Sequence, residues 1–247
     1  MIQLAIHGSA GRMGQRLIAL AQDDAELSIH TAIDAARPDG PRLADAEGCD
    51  VLIDFTLPEG FRAALAHCRE HAVPLIVGTT GLTDADQAEL DAAAESIPLI
   101  QATNFSQVVN VLNHLAARAV ALLGEGYDAE ILEARHRYKQ DAPSGTALTL
   151  ARVVAEAAGR DFEADVKLTR RGQDPRQPGQ ITVQTLRMGD DAGQHTLFLA
   201  APGERLELKH VATSRDSYAA GALRAAKWLA GKSPGRYTMA DVLGLDG

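Results

Sequence analysis

A doubly wound parallel α/β sheet, joined to a second α+β domain built on a mixed sheet, is the fold class predicted for these 247 residues. Three observations predict it. Short apolar runs of strand length alternate with amphipathic helical stretches through residues 1–105, the rhythm of a parallel sheet covered on both faces. A glycine-rich turn, "HGSAGRMG", separates the first strand from the first helix, where such sheets bind ligands. Beyond residue 105, strands follow one another almost without helices, as antiparallel or mixed pairing requires. The domains are read as 1–105 with 217–247, and 106–216.

Taken in order, Ile2 to His7 reads as a buried strand. Gly11 to Gln22 reads as a helix from the spacing of Met13, Leu17, Ile18, Leu20 and Ala21. "LSIHTAI" is the second strand and a Pro/Gly loop follows through Pro41. "DVLIDF", "PLIVG" and "IPLIQAT" are the next three strands. Between them lie the helices "EGFRAALAHCREHA" and "TDADQAELDAAAE", the second opened by a Thr or Asp cap. A helix from about Ser106 to Leu123 leads to the strand "YDAEILEA", and another helix begins near Ser144. The strands "ADVKLTR", "QITVQTLRM", "QHTLFLA" and "ERLELKHVA" follow, with "RRGQDPRQPGQ" expected as a mobile loop. Finally "SYAAGALRAAKWLAG" is a helix whose apolar face, carrying Ala219, Leu223, Ala226 and Leu229, should return to the first domain.

Composition narrows the function. Hydrophobic and charged contents of 46% and 23% are those of an ordinary globular enzyme. A formal net charge of −9 disfavours broad capture of nucleic acid or an anionic membrane. A local basic cluster in such a chain points instead to a small anionic ligand. Cys49 and Cys68 form neither a disulfide framework nor a metal-ligand spacing. With no leader-like segment and no membrane-length apolar run, the expected location is cytoplasmic. His67 and His71 sit four apart on one helix, but no third ligand is evident. They are read as a solvated helix face, and no metal is expected.

The glycine turn carries the first functional reading. Gly8, Gly11 and Gly14 follow the first strand and open the first helix, so the backbone can approach a pyrophosphate set against helix amides. Asp34 ends the second strand about twenty residues on, where an acid takes the adenosine ribose hydroxyls. The segment is therefore Rossmann-type. A carboxylate there repels a 2′-phosphate, which favours NADH, while nearby Arg37 keeps NADPH possible. "GTTG" (Gly78 to Gly81) and "ATNF" (Ala102 to Phe105) end the fourth and fifth strands, the ligand-binding edge, and should reach the nicotinamide half.

The second reading concerns "EARHRYKQDAPSGTA", residues 133–147. Pro143 stops the preceding segment, Ser144 is a natural N-cap, and Gly145 and Thr146 occupy the first helical turn. Free amides and the Thr146 hydroxyl make a cradle for a carboxylate or phosphate. His136 and Lys139 can add charge-assisted bonds or donate a proton, and Asp141 could orient the loop. A capped helix beside a solvated basic loop is the alternative; the nucleotide site shifts the balance towards a substrate anion.

The run Glu130-Ile131-x-Glu133 and Lys139-x-Asp141-x-Pro143-Ser144-Gly145-Thr146-Ala147 resembles the signature of the bacterial dihydrodipicolinate reductase family. "GRMG", "IDFT.PEG", "GTTG", "NFS" and "GERLE..H" extend that resemblance over nearly the whole chain. It implies a Rossmann domain closed by the C-terminal helix and a central substrate domain that also builds a homotetramer. The implied reaction is NAD(P)H-dependent reduction of the cyclic imine made by dihydrodipicolinate synthase, on the diaminopimelate route to lysine. It implies cofactor contacts at Gly8, Ser9, Ala10, Gly11, Arg12, Met13 and Asp34. Further implied contacts are Gly78, Thr79, Thr80, Ala102, Thr103, Asn104 and Phe105. The dicarboxylate substrate would meet His136, Gly145 and Thr146 at the Ser144 cap, with Lys139 as proton donor.

Two departures stand out. The family usually has two adjacent histidines, the first assigned to proton transfer, whereas here the pair is Arg135-His136. Arginine stays protonated and is a poor general acid but a good carboxylate clamp, so Arg135 is expected to bind or steer the substrate. NADPH-using members often have an arginine directly after the acid; here that residue is Ala35. Two rival functions are another amino-acid-pathway dehydrogenase on the same scaffold and a nucleotide-binding paralogue without turnover.

Overall fold

The computed structural model describes residues 1–37 and 39–245, which fall in two units, Met1–Gln107 with Arg215–Gly247, and Val108–Ser214. In the first, β1 (Ile2–His7), α1 (Arg12–Gln22), β2 (Leu27–Ile33), β3 (Val51–Asp54), α2 (Pro58–His71), β4 (Leu75–Val77), α3 (Asp84–Ala94) and β5 (Pro98–Gln101) alternate as predicted. β3 and β4 are wholly buried and β1 and β5 largely so, with mostly apolar residues, as strands covered on both faces must be. Pro58 stands at the first position of α2, where its missing N–H has no partner to lose. α3 opens with a capping box in which Thr83 and Asp86 satisfy each other's backbone amides.

α4 (Gln107–Leu123) leads into the second unit, followed by β6 (Asp128–Arg135), α5 (Gly145–Ala157), α6 (Phe162–Asp165), β7 (Val166–Lys167), β8 (Ile181–Arg187), β9 (Gly193–Ala201) and β10 (Glu204–Ala212). The strands form one mixed sheet in the order β10-β9-β6-β8-β7. β6 pairs parallel with β8 and antiparallel with β9, so two connection types meet on one strand. Ile131, Val183, Leu197 and Leu199 pack under Leu112 and Ala116 of α4 and Leu150 and Val154 of α5.

The chain then returns to the first unit as α7 (Asp216–Leu229), β11 (Gly235–Tyr237) and α8 (Met239–Leu243). Ala219, Leu223, Ala226 and Leu229 join Leu4, Ile6 and Ile53 in one core. Gly221 makes the approach possible: a Cβ there would lie 1.8 Å from the Phe105 carbonyl oxygen. β11 pairs parallel with β5 and completes a six-stranded sheet in the order β11-β5-β4-β3-β1-β2.

The structure corrects three expectations. "ADVKLTR" is strand for Val166–Lys167 alone, because the Asp161 carboxylate caps α6 and turns the preceding residues helical. The loop expected to be mobile is tied down. Arg170 reaches Glu130 at 2.9 Å and Thr182 at 2.8 Å, while Arg176 pairs with Asp128 at 2.8 Å and with Glu130. Two guanidinium groups over an acidic stretch of β6 give this turn-rich segment a fixed anchorage. His67 is not a solvated residue: it is buried, and burial followed by the neighbouring His71 lowers its pKa. Among the described residues no group of three or more His, Cys, Asp or Glu side chains is placed to hold a metal ion.

Candidate active site

The first constellation lies at the carboxyl ends of β1, β2 and β3. Gly8 has φ +87°, and a Cβ on it would meet the Phe55 carbonyl oxygen at 2.6 Å, so only glycine fits. A Cβ on Gly14 would lie 2.2 Å from the Gly8 oxygen, which explains how closely α1 seats against the turn. The N-cap of α1 is Gly11, which supplies no side-chain bond, leaving first-turn amides for an anion. The Ser9 hydroxyl is buried in this turn without a partner among the described residues.

Asp34 accepts from the amides of Ala36 at 2.8 Å and Ala10 at 2.7 Å. The Ala36 bond foremost holds its carboxyl below the usual range against the opposing effect of burial, and the Ala10 bond, Arg37 and His7 assist. Gly8, Ala10, Gly11 and Asp34 line one cavity with Phe55 and Thr56. Of the other predicted contacts, Arg12 is exposed at the start of α1 and Met13 is half-buried against the core. Gly78, Thr79 and Thr80 follow β4, and Ala102, Thr103, Asn104 and Phe105 follow β5. β4 and β5 are parallel neighbours, so these turns share one edge of the sheet. The Phe105 side chain is in the core, 5.8 Å from the Phe55 ring.

Beneath the glycine turn lies a polar cluster that sequence reasoning missed. His7 Nδ1 is 2.8 Å from Asp54 Oδ1, and Asp54 is wholly buried. The hydroxyls of Thr56 and Thr79 donate to the same carboxylate at 2.7 and 2.6 Å. One buried carboxyl group thus ties together the ends of β1, β3 and β4. The available signal was the alternation in "IDFT", where a lone acid interrupts an apolar strand.

The second constellation is at the end of β6 and the start of α5, in the second unit. The Ser144 hydroxyl accepts the Ala147 amide at 3.3 Å, the predicted cap. The Ser144 amide donates to Glu133 Oε2 at 2.8 Å, and Glu133 is wholly buried with Arg187 at 3.5 Å. That carboxylate fixes where α5 begins. The loop between is stitched to the β8–β9 turn region: the His136 amide donates to the Asp191 carbonyl at 2.8 Å. Lys139 Nζ lies 2.6 Å from Asp141 Oδ1. Burial raises the Asp141 pKa, but the hydrogen bond and charge of Lys139 outweigh it and hold that carboxyl below its usual range.

Arg135 ends β6 in register with Arg187 on β8, and its Nε is buried without a partner among the described residues. Across β9 and β10, His195 and His210 stack with their Nδ1 atoms 3.5 Å apart. Burial above all, then His210, Arg135 and Lys139, push the pKa of His195 down to about 3. His195 is neutral at physiological pH, so it cannot be the acid of this loop. Arg135, Lys139 and Arg187 thus gather around two carboxylates, Glu133 and Asp141. One positive charge among these five groups is left to a bound carboxylate.

Comparison with known proteins bears on both constellations. Residues 2–105 match the family model described as "Dihydrodipicolinate reductase, N-terminus", and residues 108–243 the one described as "Dihydrodipicolinate reductase, C-terminus". The chain is 44% identical over 266 residues to the 4-hydroxy-tetrahydrodipicolinate reductase of Thiobacillus denitrificans, covering 99% of each chain. It is 45% identical over 269 residues to that of Myxococcus xanthus, covering 99% of this chain and 98% of the relative. Its fold is similar to that of the dipicolinate-bound dihydrodipicolinate reductase from Paenisporosarcina sp. TG-14, with TM-score 0.79, 22% identity and 98% of both chains covered.

Proposed function

The chain belongs to the dihydrodipicolinate reductase family, and from that premise we propose how its residues carry out the reaction. It is a 4-hydroxy-tetrahydrodipicolinate reductase of the diaminopimelate route to lysine, and its reductant is a nicotinamide dinucleotide. The observation that carries the residue-level reading is the cationic loop meeting the capped start of α5. A coupled assay tests it: the product of dihydrodipicolinate synthase is supplied with NADH or NADPH, and loss of the reduced coenzyme is followed. Consumption that depends on that substrate is expected. Tight NADH binding with no consumption would instead indicate a paralogue without turnover.

The first constellation fits the coenzyme on its own geometry: a turn with no room for a Cβ at Gly8 or Gly14, an unpartnered buried Ser9 hydroxyl, and an acid held ionised by two amides. When bound, the reduced nicotinamide supplies a hydride. Gly8 to Met13 would hold the pyrophosphate, Asp34 the adenosine ribose, and the turns after β4 and β5 the nicotinamide half. Asp34 makes NADH the preferred form, since a carboxylate accepts ribose hydroxyls and repels a phosphate. Asp34→Ala should narrow the NADH preference on the order of tenfold, the scale of one partly screened charge. Titration of both coenzymes measures it, and equal affinities in the unmutated protein would remove the argument.

On the second unit, Arg135, His136 and the first turn of α5 bind the substrate carboxylates. Lys139 delivers the proton, and the assignment needs no metal ion. Thr146→Val keeps the shape of that turn and deletes a hydroxyl. Inhibition by pyridine-2,6-dicarboxylate should weaken by roughly 1.5–3 kcal/mol, the worth of one hydrogen bond to a charged group. An unchanged inhibition constant would place the substrate elsewhere.

The assembly is a homotetramer built through the second unit, as the family resemblance suggests. Exposed Leu168, Leu186, Met188 and Val211 supply apolar surface for such contacts. Sedimentation equilibrium would decide it. A cytoplasmic location accords with a biosynthetic role, and no helix among the described residues is long and apolar enough to cross a membrane.

A further inference from the structure

His7 is the last residue of β1 and borders the same cavity as Asp34. Its ring is held from one side. Asp54 is wholly buried and already takes hydroxyl donors from Thr56 and Thr79, so it acts as an acceptor and His7 Nδ1 as a donor. That bond fixes the tautomer and leaves Nε2 as the edge with no protein partner among the described residues. In the neutral ring Nε2 can only accept a hydrogen bond; in the protonated ring it can only donate. A ribose 2′-hydroxyl suits the first state, and a 2′-phosphate suits the second.

We propose that His7 makes the choice between NADH and NADPH depend on pH, neutral His7 favouring the ribose diol and protonated His7 admitting the 2′-phosphate beside Asp34. The inference rests on the reading that Asp34 holds the adenosine ribose. Asp54 on β3 bonds the ring, Asp34 after β2 and Glu59 on α2 line the same cavity, and Arg37 acts on Asp34. Arg37 is positive throughout the range in which histidine titrates, and the carboxylates are negative. His7 is therefore the group whose change of charge alters the balance near Asp34. His7 and Asp34 line one cavity, so a charge gained by the ring acts on whatever the Asp34 carboxylate holds there.

Dissociation constants of NADH and NADPH, measured from about pH 5.5 to about pH 8.5, span the change in histidine charge. The 2′-phosphate itself titrates near about pH 6, so the readout is the difference between unmutated protein and His7→Asn. Asparagine can still donate to Asp54 but does not titrate. The ratio of the NADPH to the NADH dissociation constant should fall on acidification in both. In the unmutated protein it should fall on the order of three- to tenfold further, the effect of one added charge at partly screened range. Parallel curves would overturn the role of His7. Equal affinities at the alkaline end would overturn the Asp34 reading instead, so the two failures are distinct. If the variant does not fold, the His7 Nε2 resonance of the unmutated protein gives the answer. It should stay protonated to higher pH with NADP⁺ bound than with NAD⁺, and coincident titrations would sink the proposal.

Discussion

Lys139→Ala should lower kcat on the order of 10²–10⁴-fold, the usual loss when a general acid is removed, with a smaller change in KM. Lys139 Nζ lies 2.6 Å from Asp141 and its side chain is largely buried, so the ammonium group is held in place. An ammonium group has three N–H donors and the ion pair uses one, which leaves others for the substrate. Arg187 donates to the Asp141 carbonyl at 2.5 Å and steadies the loop from the neighbouring strand. Lys139→Arg separates charge from proton transfer, because a guanidinium group keeps its proton at working pH. It should bind substrate far better than Lys139→Ala and still turn over slowly. Steady-state kinetics on the two variants measure this, and full turnover by Lys139→Ala would hand the proton to water or His136.

Arg135→Ala should act mainly on KM, since a clamp binds ground and transition states alike. Truncating one member of a desolvated charge pair costs about 2–5 kcal/mol, so KM should rise roughly 30-fold or more. The position supports a clamp. Arg135 stands in register with Arg187, its Nε is buried without a partner among the described residues, and its charge lowers the pKa of both His195 and His210. A further anion, beyond Glu133 and Asp141, is what such a group of cations lacks. Arg135→His restores the residue usual in the family and should add to kcat and KM a pH dependence near neutrality that Arg135→Ala does not add. If Arg135→Ala abolished turnover with KM unchanged, the roles of Arg135 and Lys139 would have to be exchanged.

The parts of the site legible in the sequence are those made by neighbours in the chain. The Ser144 cap, the glycine turn into α1 and the acid at the end of β2 each follow from a few consecutive residues and one element boundary. The short elements near the end were not legible. β11 has three residues, and without β5 beside it nothing marks Gly235–Tyr237 as strand. His67 illustrates the same limit, since its place on an amphipathic helix did not reveal that the ring would be packed away.

The strand–helix alternation of the first unit, its binding edge and the basic turn before α5 were determined by the sequence alone, because backbone propensity, capping and hydrophobic period act over a few residues. Tertiary structure alone decided which distant groups share a charge or a hydrogen bond. His7 meets Asp54 across 47 residues, and Glu133 reaches Ser144 only because the loop between them folds back. Arg135 faces Arg187 only because β6 and β8 pair in one register, and α7 meets Phe105 only because Gly221 leaves the space. Such contacts depend on strand register and on the exclusion of water between packed elements, which no local stretch encodes.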